Sequence, residues 1–140
     1  MRRVVKVIMY IYRDNDGRKE FFILHRKRND VVTLTGHVAD SEEIKDESIK
    51  DAARRETIEE LGVEPISVID LEMNIEVEME ERGKDIISVE HSFLVQIPNK
   101  DVHFLEGDEK HQWHTINELY NTLTYPNQKK PLDKIKELIV

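Results

Sequence analysis

The sequence predicts an α/β (α+β) fold in which a mixed β-sheet is covered by helices. Three observations carry this. Apolar segments with strand character open the chain and return in its middle. One long run of helix formers, closed by a glycine, lies between them. Two shorter helical segments end the chain. Its 140 residues suit a single domain over residues 1–140, large enough to bury a core without a metal or disulfide.

Taken in order, Val4 to Tyr12 is rich in β-branched and aromatic residues and reads as a strand. Asp14-Asn15-Asp16-Gly17 signals a turn. Glu20 to Arg26 is the returning strand of a hairpin. Val31 to Val38 reads as a short strand running into a loop around Gly36. Ser41 to Leu61 lacks Gly and Pro and stops at Gly62, which predicts a helix. Ser41 with Glu42 and Glu43 makes one plausible start; a start near Asp46 is the alternative. Ile66 to Met79 alternates Met73, Ile75, Val77 and Met79 with polar residues, as a half-buried strand does. Glu80 to Asp85 is its turn and Ile86 to Ile97 its partner. Val102 to Leu105 and His111 to Thr115 are candidate short strands. Ile116 to Leu123 and Leu132 to Val140 read as helices, separated by Tyr125-Pro126-Asn127.

Composition excludes several functions. Lys and Arg total 21 and Asp and Glu 29, a formal charge of −8. An acidic surface repels nucleic acid and anionic membranes, so neither is an expected partner. A small phosphorylated ligand remains compatible, because a metal ion or a few arginines reverse the field locally. With no cysteine, thiolate zinc sites and a cysteine nucleophile are excluded, and a reducing cytoplasm is the expected location. The basic-then-apolar opening is too short and too alternating for a signal peptide. No apolar run reaches membrane-spanning length. His111 and His114 flank Trp113 without a third ligand in view, and Trp113 reads as core.

The informative stretch is Ala52-Ala53-Arg54-Arg55-Glu56-Thr57-Ile58-Glu59-Glu60-Leu61-Gly62-Val63. At about 100° per residue, Glu56, Glu59 and Glu60 share one helix sector. Like charges at that spacing destabilise an isolated helix by roughly 0.2–0.5 kcal/mol per pair. A run of Glu is ordinarily a solvated face. Here Ile49, Ala52 and Ala53 fall in the same sector, so the carboxylates continue the packing face. Half-buried like charges call for a compensating cation. Hard divalent cations such as Mg²⁺ take all-oxygen sites of this kind.

These residues resemble the Nudix family. Its signature is Gly, five residues, Glu, seven residues, Arg-Glu, a bulky apolar residue, any residue, Glu-Glu, any residue, Gly and a bulky apolar residue. Arg55 to Val63 follows the second half, with Thr57 where a larger apolar residue is usual. Thr35-Gly36-His37-Val38 resembles the opening glycine loop. The spacing departs: Gly36 points to Glu42 and Arg55 points back to Glu47, so five extra residues separate the halves. Either glutamate can fill the first position; Glu47-Ser48-Ile49 fits the run into the helix better. Phe22 to Arg28, Trp113 and Glu118-Leu119 also resemble family features, so the likeness covers most of the chain.

The resemblance implies an α/β/α sandwich with the carboxylate helix packed on a mixed sheet. It implies Mg²⁺-dependent hydrolysis of a phosphoanhydride, with Mn²⁺ as a substitute. By resemblance Glu56, Glu59 and Glu60 with the Gly36 carbonyl are the metal ligands, and Arg55 orients a glutamate. Glu59, Arg55 and a late glutamate, Glu109 or Glu106, form the catalytic group. Arg26, Arg28 and His37 are the substrate-binding candidates. Thr35-Gly36 and Tyr125-Pro126-Asn127-Gln128 resemble the dihydroneopterin triphosphate and dATP pyrophosphohydrolase branch. The expected partner is a small nucleotide-like substrate, and the expected state a monomer or homodimer. Dinucleoside polyphosphate or nucleotide-sugar hydrolysis is the alternative activity, and a non-catalytic ligand sensor the alternative class.

Overall fold

The structure is a computed structural model that describes residues 1–39 and 42–140. β1 (Arg2–Asn15) and β2 (Arg18–His25) form the expected hairpin. Its turn places Asp16 and Gly17 at φ 51° and 90°, a conformation that glycine takes at no steric cost and Asp tolerates. The Asp14 carboxylate secures it by accepting from the Gly17 N–H at 2.7 Å. β3 (Val31–Val32) and β4 (Leu34–His37) follow. Gly36 therefore lies inside a strand, not in a loop. β4 pairs antiparallel with the first half of β1, where Val7 stands opposite Gly36.

The helix α1 spans Ile49–Leu61. The helix start proposed at Ser41 lies outside the described residues. The later start is nearer to what is observed, but Asp46 is still outside the helix. Glu42–Ile44 forms one 3-10 turn, and the Glu47 N–H closes it on the Ile44 carbonyl at 2.9 Å. Ser48 is the cap: its hydroxyl accepts from the Asp51 N–H at 3.1 Å. Gly62 ends the helix at φ 67°, the left-handed conformation that stops helices.

β5 (Ser67–Glu81) and β6 (Lys84–Ile97) form a long antiparallel hairpin, broken by an irregularity between Asp70 and Asn74. β6 returns parallel to β1, which makes the sheet mixed. β7 (Lys110–His114) adds to β2. The sheet order is β3-β2-β1-β6-β5, with β4 on β1 and β7 on β2. Val102 to Leu105 is not a strand. Val102 is buried in the core, but the Leu105 N–H bonds the Glu60 carbonyl of α1 at 2.7 Å. The segment is tied to the end of α1 instead of to a strand. Three helices close the chain: α2 (Ile116–Thr122), α3 (Pro126–Lys129) and α4 (Leu132–Leu138). Pro126 supplies its fixed φ at the first turn of α3, so a segment read only as a separator is helical.

Alternation along β1 builds both layers. Val7, Met9 and Ile11 face Ala52, Ala53 and Leu61 of α1. Ile8, Tyr10 and Tyr12 face Ile116, Leu119, Leu132 and Ile135. The small, fully buried Ala52 and Ala53 let α1 lie close on the sheet. Among the described residues no helix is long and apolar enough to cross a membrane.

Candidate active site

The second half of α1 carries the site. Beyond Ala52 and Ala53 the packing face continues into Glu56 and Glu60, buried to 7% and 8% exposure. Glu59 is exposed. Thr57 is fully buried, and its hydroxyl donates to the Ala53 carbonyl at 2.8 Å. A threonine thus occupies the apolar position without an orphaned donor.

Glu56 approaches so closely that a Cβ on Gly36 would land on its side-chain carbons. A side chain at this position would have to displace the Glu56 carboxylate. The Gly36 carbonyl was expected as a ligand, and the register sets the direction in which it points. Val38 donates to Val5 at 3.2 Å, so alternation makes Val7 and Gly36 a hydrogen-bonded pair. The Gly36 carbonyl is therefore turned to β1. Those of Thr35 and His37 turn the other way, and His37 shows it: its carbonyl accepts from Arg55 at 2.9 Å.

Arg55 is the hub. Its Nε and Nη2 grip both oxygens of Glu47 at 2.7 and 3.0 Å. Its Nη1 donates to Glu56 and Glu59, each at 3.0 Å. This bidentate pair makes Glu47 a brace for Arg55. Arg55 donation, supported by the Ala39 N–H, holds the Glu47 carboxyl below the usual carboxylate range against the effect of burial. Glu60 behaves oppositely. Burial first, then the charges of Glu56, Glu106 and Glu59, pushes it up to about 8. Its Oε2 is buried without a hydrogen-bond partner.

The other expected residues divide. Glu106 is close enough for its charge to raise Glu60, because Leu105 is tied to the Glu60 carbonyl. The Glu109 carboxylate instead folds over Gly107. Arg26 and Arg28 do not converge on the carboxylates. Arg26 grips both oxygens of Asp30, and Arg28 donates to Asp30 at 3.1 Å. Tyr125 adds its hydroxyl at 2.5 Å. Asp30 is buried, and Arg26 donation holds its carboxyl well below the usual range. The basic run after β2 thus braces a loop, which reading its charges alone did not reveal. The His37 ring lies 3.6 Å from Glu81 at the tip of the β5–β6 hairpin.

Among the described residues no three acidic or histidine side chains are already gathered as a metal cage. The donor set nevertheless fits a hard divalent cation. It offers a buried carboxylate oxygen without a partner, a glycine cradle and acids in excess over Arg55.

Fold and site together define an α/β/α hydrolase with an acidic centre. The family model of the NUDIX domain matches residues 2–135, and the chain belongs to that family. A NUDIX hydrolase from Listeria monocytogenes superimposes with a TM-score of 0.78 at 18% identity, covering 95% of this chain and 92% of that one. An Ap4A hydrolase from C. elegans gives 0.71 at 22%, covering 97% of each chain. The E. coli dihydroneopterin triphosphate pyrophosphohydrolase gives 0.72 at 16%, covering 96% of this chain and 97% of that one. At these identities the likeness bears on the fold. No curated protein sequence matches the chain.

Proposed function

We propose that the protein hydrolyses a nucleoside triphosphate or pterin triphosphate between the α and β phosphates, releasing pyrophosphate and a monophosphate. The observation that carries this is the unpartnered buried oxygen of Glu60 beside Glu56 over Gly36. Glu56 and Glu60 are the principal ligands of a divalent ion, Glu59 assists, and the Thr35 carbonyl takes the place expected of Gly36. Mg²⁺, or Mn²⁺ in its stead, would neutralise phosphate charge and acidify the attacking water. Arg55 positions Glu56 and Glu59, and Glu47 holds Arg55 still. Glu106 is the late glutamate best placed to accept a proton. His37 lines the approach to the substrate. The absence of cysteine fits work in a reducing cytoplasm, and the protein acts as a monomer or homodimer.

A second reading, dinucleoside polyphosphate hydrolysis, is favoured by the likeness to the C. elegans Ap4A hydrolase. A non-catalytic sensor fits less well, because all three helix glutamates are present. A panel of dATP, dGTP, dihydroneopterin triphosphate, ADP-ribose and diadenosine polyphosphates, with and without Mg²⁺, decides between them. Triphosphates are expected to turn over fastest, only with metal, and to yield pyrophosphate. ADP-ribose or a dinucleoside polyphosphate as best substrate, or orthophosphate as the sole released product, overturns the triphosphate reading.

A further inference from the structure

The sheet face opposite α1 holds a buried acid that no step above uses. Glu90 on β6 is 8% exposed. Its carboxylate accepts from Ser88 Oγ at 3.2 Å and from Asn127 Nδ2 at 2.9 Å. Among the described residues no ion pair reaches it. Lys6, its register partner on β1, turns instead to Glu81 at 3.2 Å. A buried carboxylate held by two neutral donors is costly to maintain. It also has acceptor capacity left, since a carboxylate offers about four lone-pair sites.

Asn127 is fixed along with it. α3 is bolted to the sheet: Tyr10 donates to the Gln128 carbonyl at 2.7 Å, and Gln128 Oε1 accepts from the Thr33 N–H at 3.1 Å. With one Nδ2 hydrogen directed at Glu90, the Asn127 amide offers its oxygen as a further acceptor beside the carboxylate, along with a second N–H. The wall so formed is rich in acceptors. Beside it, Ile75 opposes Glu90 and Val77 opposes Ser88 on the hairpin, both half-buried. They give an apolar surface on which a flat ring can lie. The two faces meet at β4. Among the described residues that strand pairs with β1 alone. Gly36 faces α1, while Thr35 and His37, in register with Ile8 and Lys6, face the Glu90 side. A strand is only about 4.8 Å wide, so a ligand can straddle the open edge of β4, with phosphates toward Glu56 and a ring toward Glu90.

We propose that Glu90 and Asn127 form the specificity wall of the same active centre. It reads a heterocycle that presents a ring N–H beside an exocyclic amino group, the 2-amino-4-oxopyrimidine edge shared by guanine nucleotides and pterins. This rests on the triphosphate reading and narrows it. Adenine offers a ring acceptor at the corresponding place and meets an acceptor wall there. A site built to pair specific polar groups rejects an analogue that leaves them unpaired.

The test compares kcat/KM for dGTP, dihydroneopterin triphosphate, dATP and dTTP in the wild type, Glu90→Gln and Asn127→Ala. Calorimetric binding of dGMP and dAMP without metal runs in parallel. The wild type should prefer dGTP or the pterin over dATP by at least about tenfold. Glu90→Gln should erase most of that preference, because its amide places a donor in the wall. Whichever of dGTP and the pterin is better identifies the source of the shared edge. Equal or better use of dATP or dTTP overturns the proposal, as does a preference that survives Glu90→Gln. If no triphosphate is hydrolysed, the triphosphate reading fails separately. Tighter dGMP than dAMP binding, lost in Glu90→Gln, then still supports the wall, and equal binding refutes it. If circular dichroism shows Glu90→Gln unfolded, Asn127→Ala is read by the same ratio, which should shrink if the wall is real.

Discussion

Glu60 and Glu47 show how two identical side chains are driven apart by their surroundings. Glu47 receives two bonds from Arg55 and is held ionised. Among the described residues no cation pairs with Glu60, and burial among Glu56, Glu106 and Glu59 pushes it up to about 8. Such a divergence marks functional carboxylates more often than structural ones. Glu60→Gln removes charge while keeping shape. It should leave the fold intact and lower turnover at saturating Mg²⁺ by about 100-fold or more, given the several kcal/mol that an ion contributes to phosphoryl chemistry. Turnover close to wild type in that variant would end the assignment of Glu60 as a ligand.

At the scale of elements, α1 has two independent starts of information. Its apolar face and its glycine stop are local and were legible from periodicity. Its first residue was not, because several polar residues precede the apolar face and it is the Ser48 hydroxyl that accepts from the Asp51 N–H. The extra residues between the signature halves sit before the helix, in a 3-10 turn and its flanks. Loop closure changes slowly with length, so removing them costs little entropy. Deleting Glu42 to Asp46 should therefore leave measurable hydrolysis and a cooperative thermal transition. Loss of the folded state, read by circular dichroism, would instead make the segment integral to the domain.

For the whole molecule the acidic centre is a stability liability that a bound divalent ion would relieve. Glu60 ionises near 4.5 when solvated and near 8 in the fold. Between these values the folded protein binds the extra proton, so stability falls as pH rises. The limiting slope for one group is about 1.4 kcal/mol per pH unit. An ion that binds only the folded state raises stability by mass action and competes less with protons at high pH. Mg²⁺ should therefore raise the Tm more at pH 8 than at pH 6, and Glu60→Gln should flatten the metal-free slope. A Tm that ignores Mg²⁺ at both pH values would contradict the site.

By itself the sequence determined the mixed sheet, the carboxylate helix, its glycine stop and the Arg55-Glu56-Thr57-Ile58-Glu59-Glu60 constellation. Each is written in a local period or a short spacing, which a helix or strand turns directly into a shared face. Tertiary structure decided the rest. Glu47 braces Arg55, and the Gly36 carbonyl turns to β1 while that of Thr35 turns away from it. Asp30 claims Arg26 and Arg28, and Asn127 reaches Glu90 across 37 residues of chain. Val102 to Leu105 lies over α1 instead of in the sheet. These outcomes depend on which donor meets which acceptor once distant segments are packed together. Charge and hydropathy along the chain carry no record of that distance or direction.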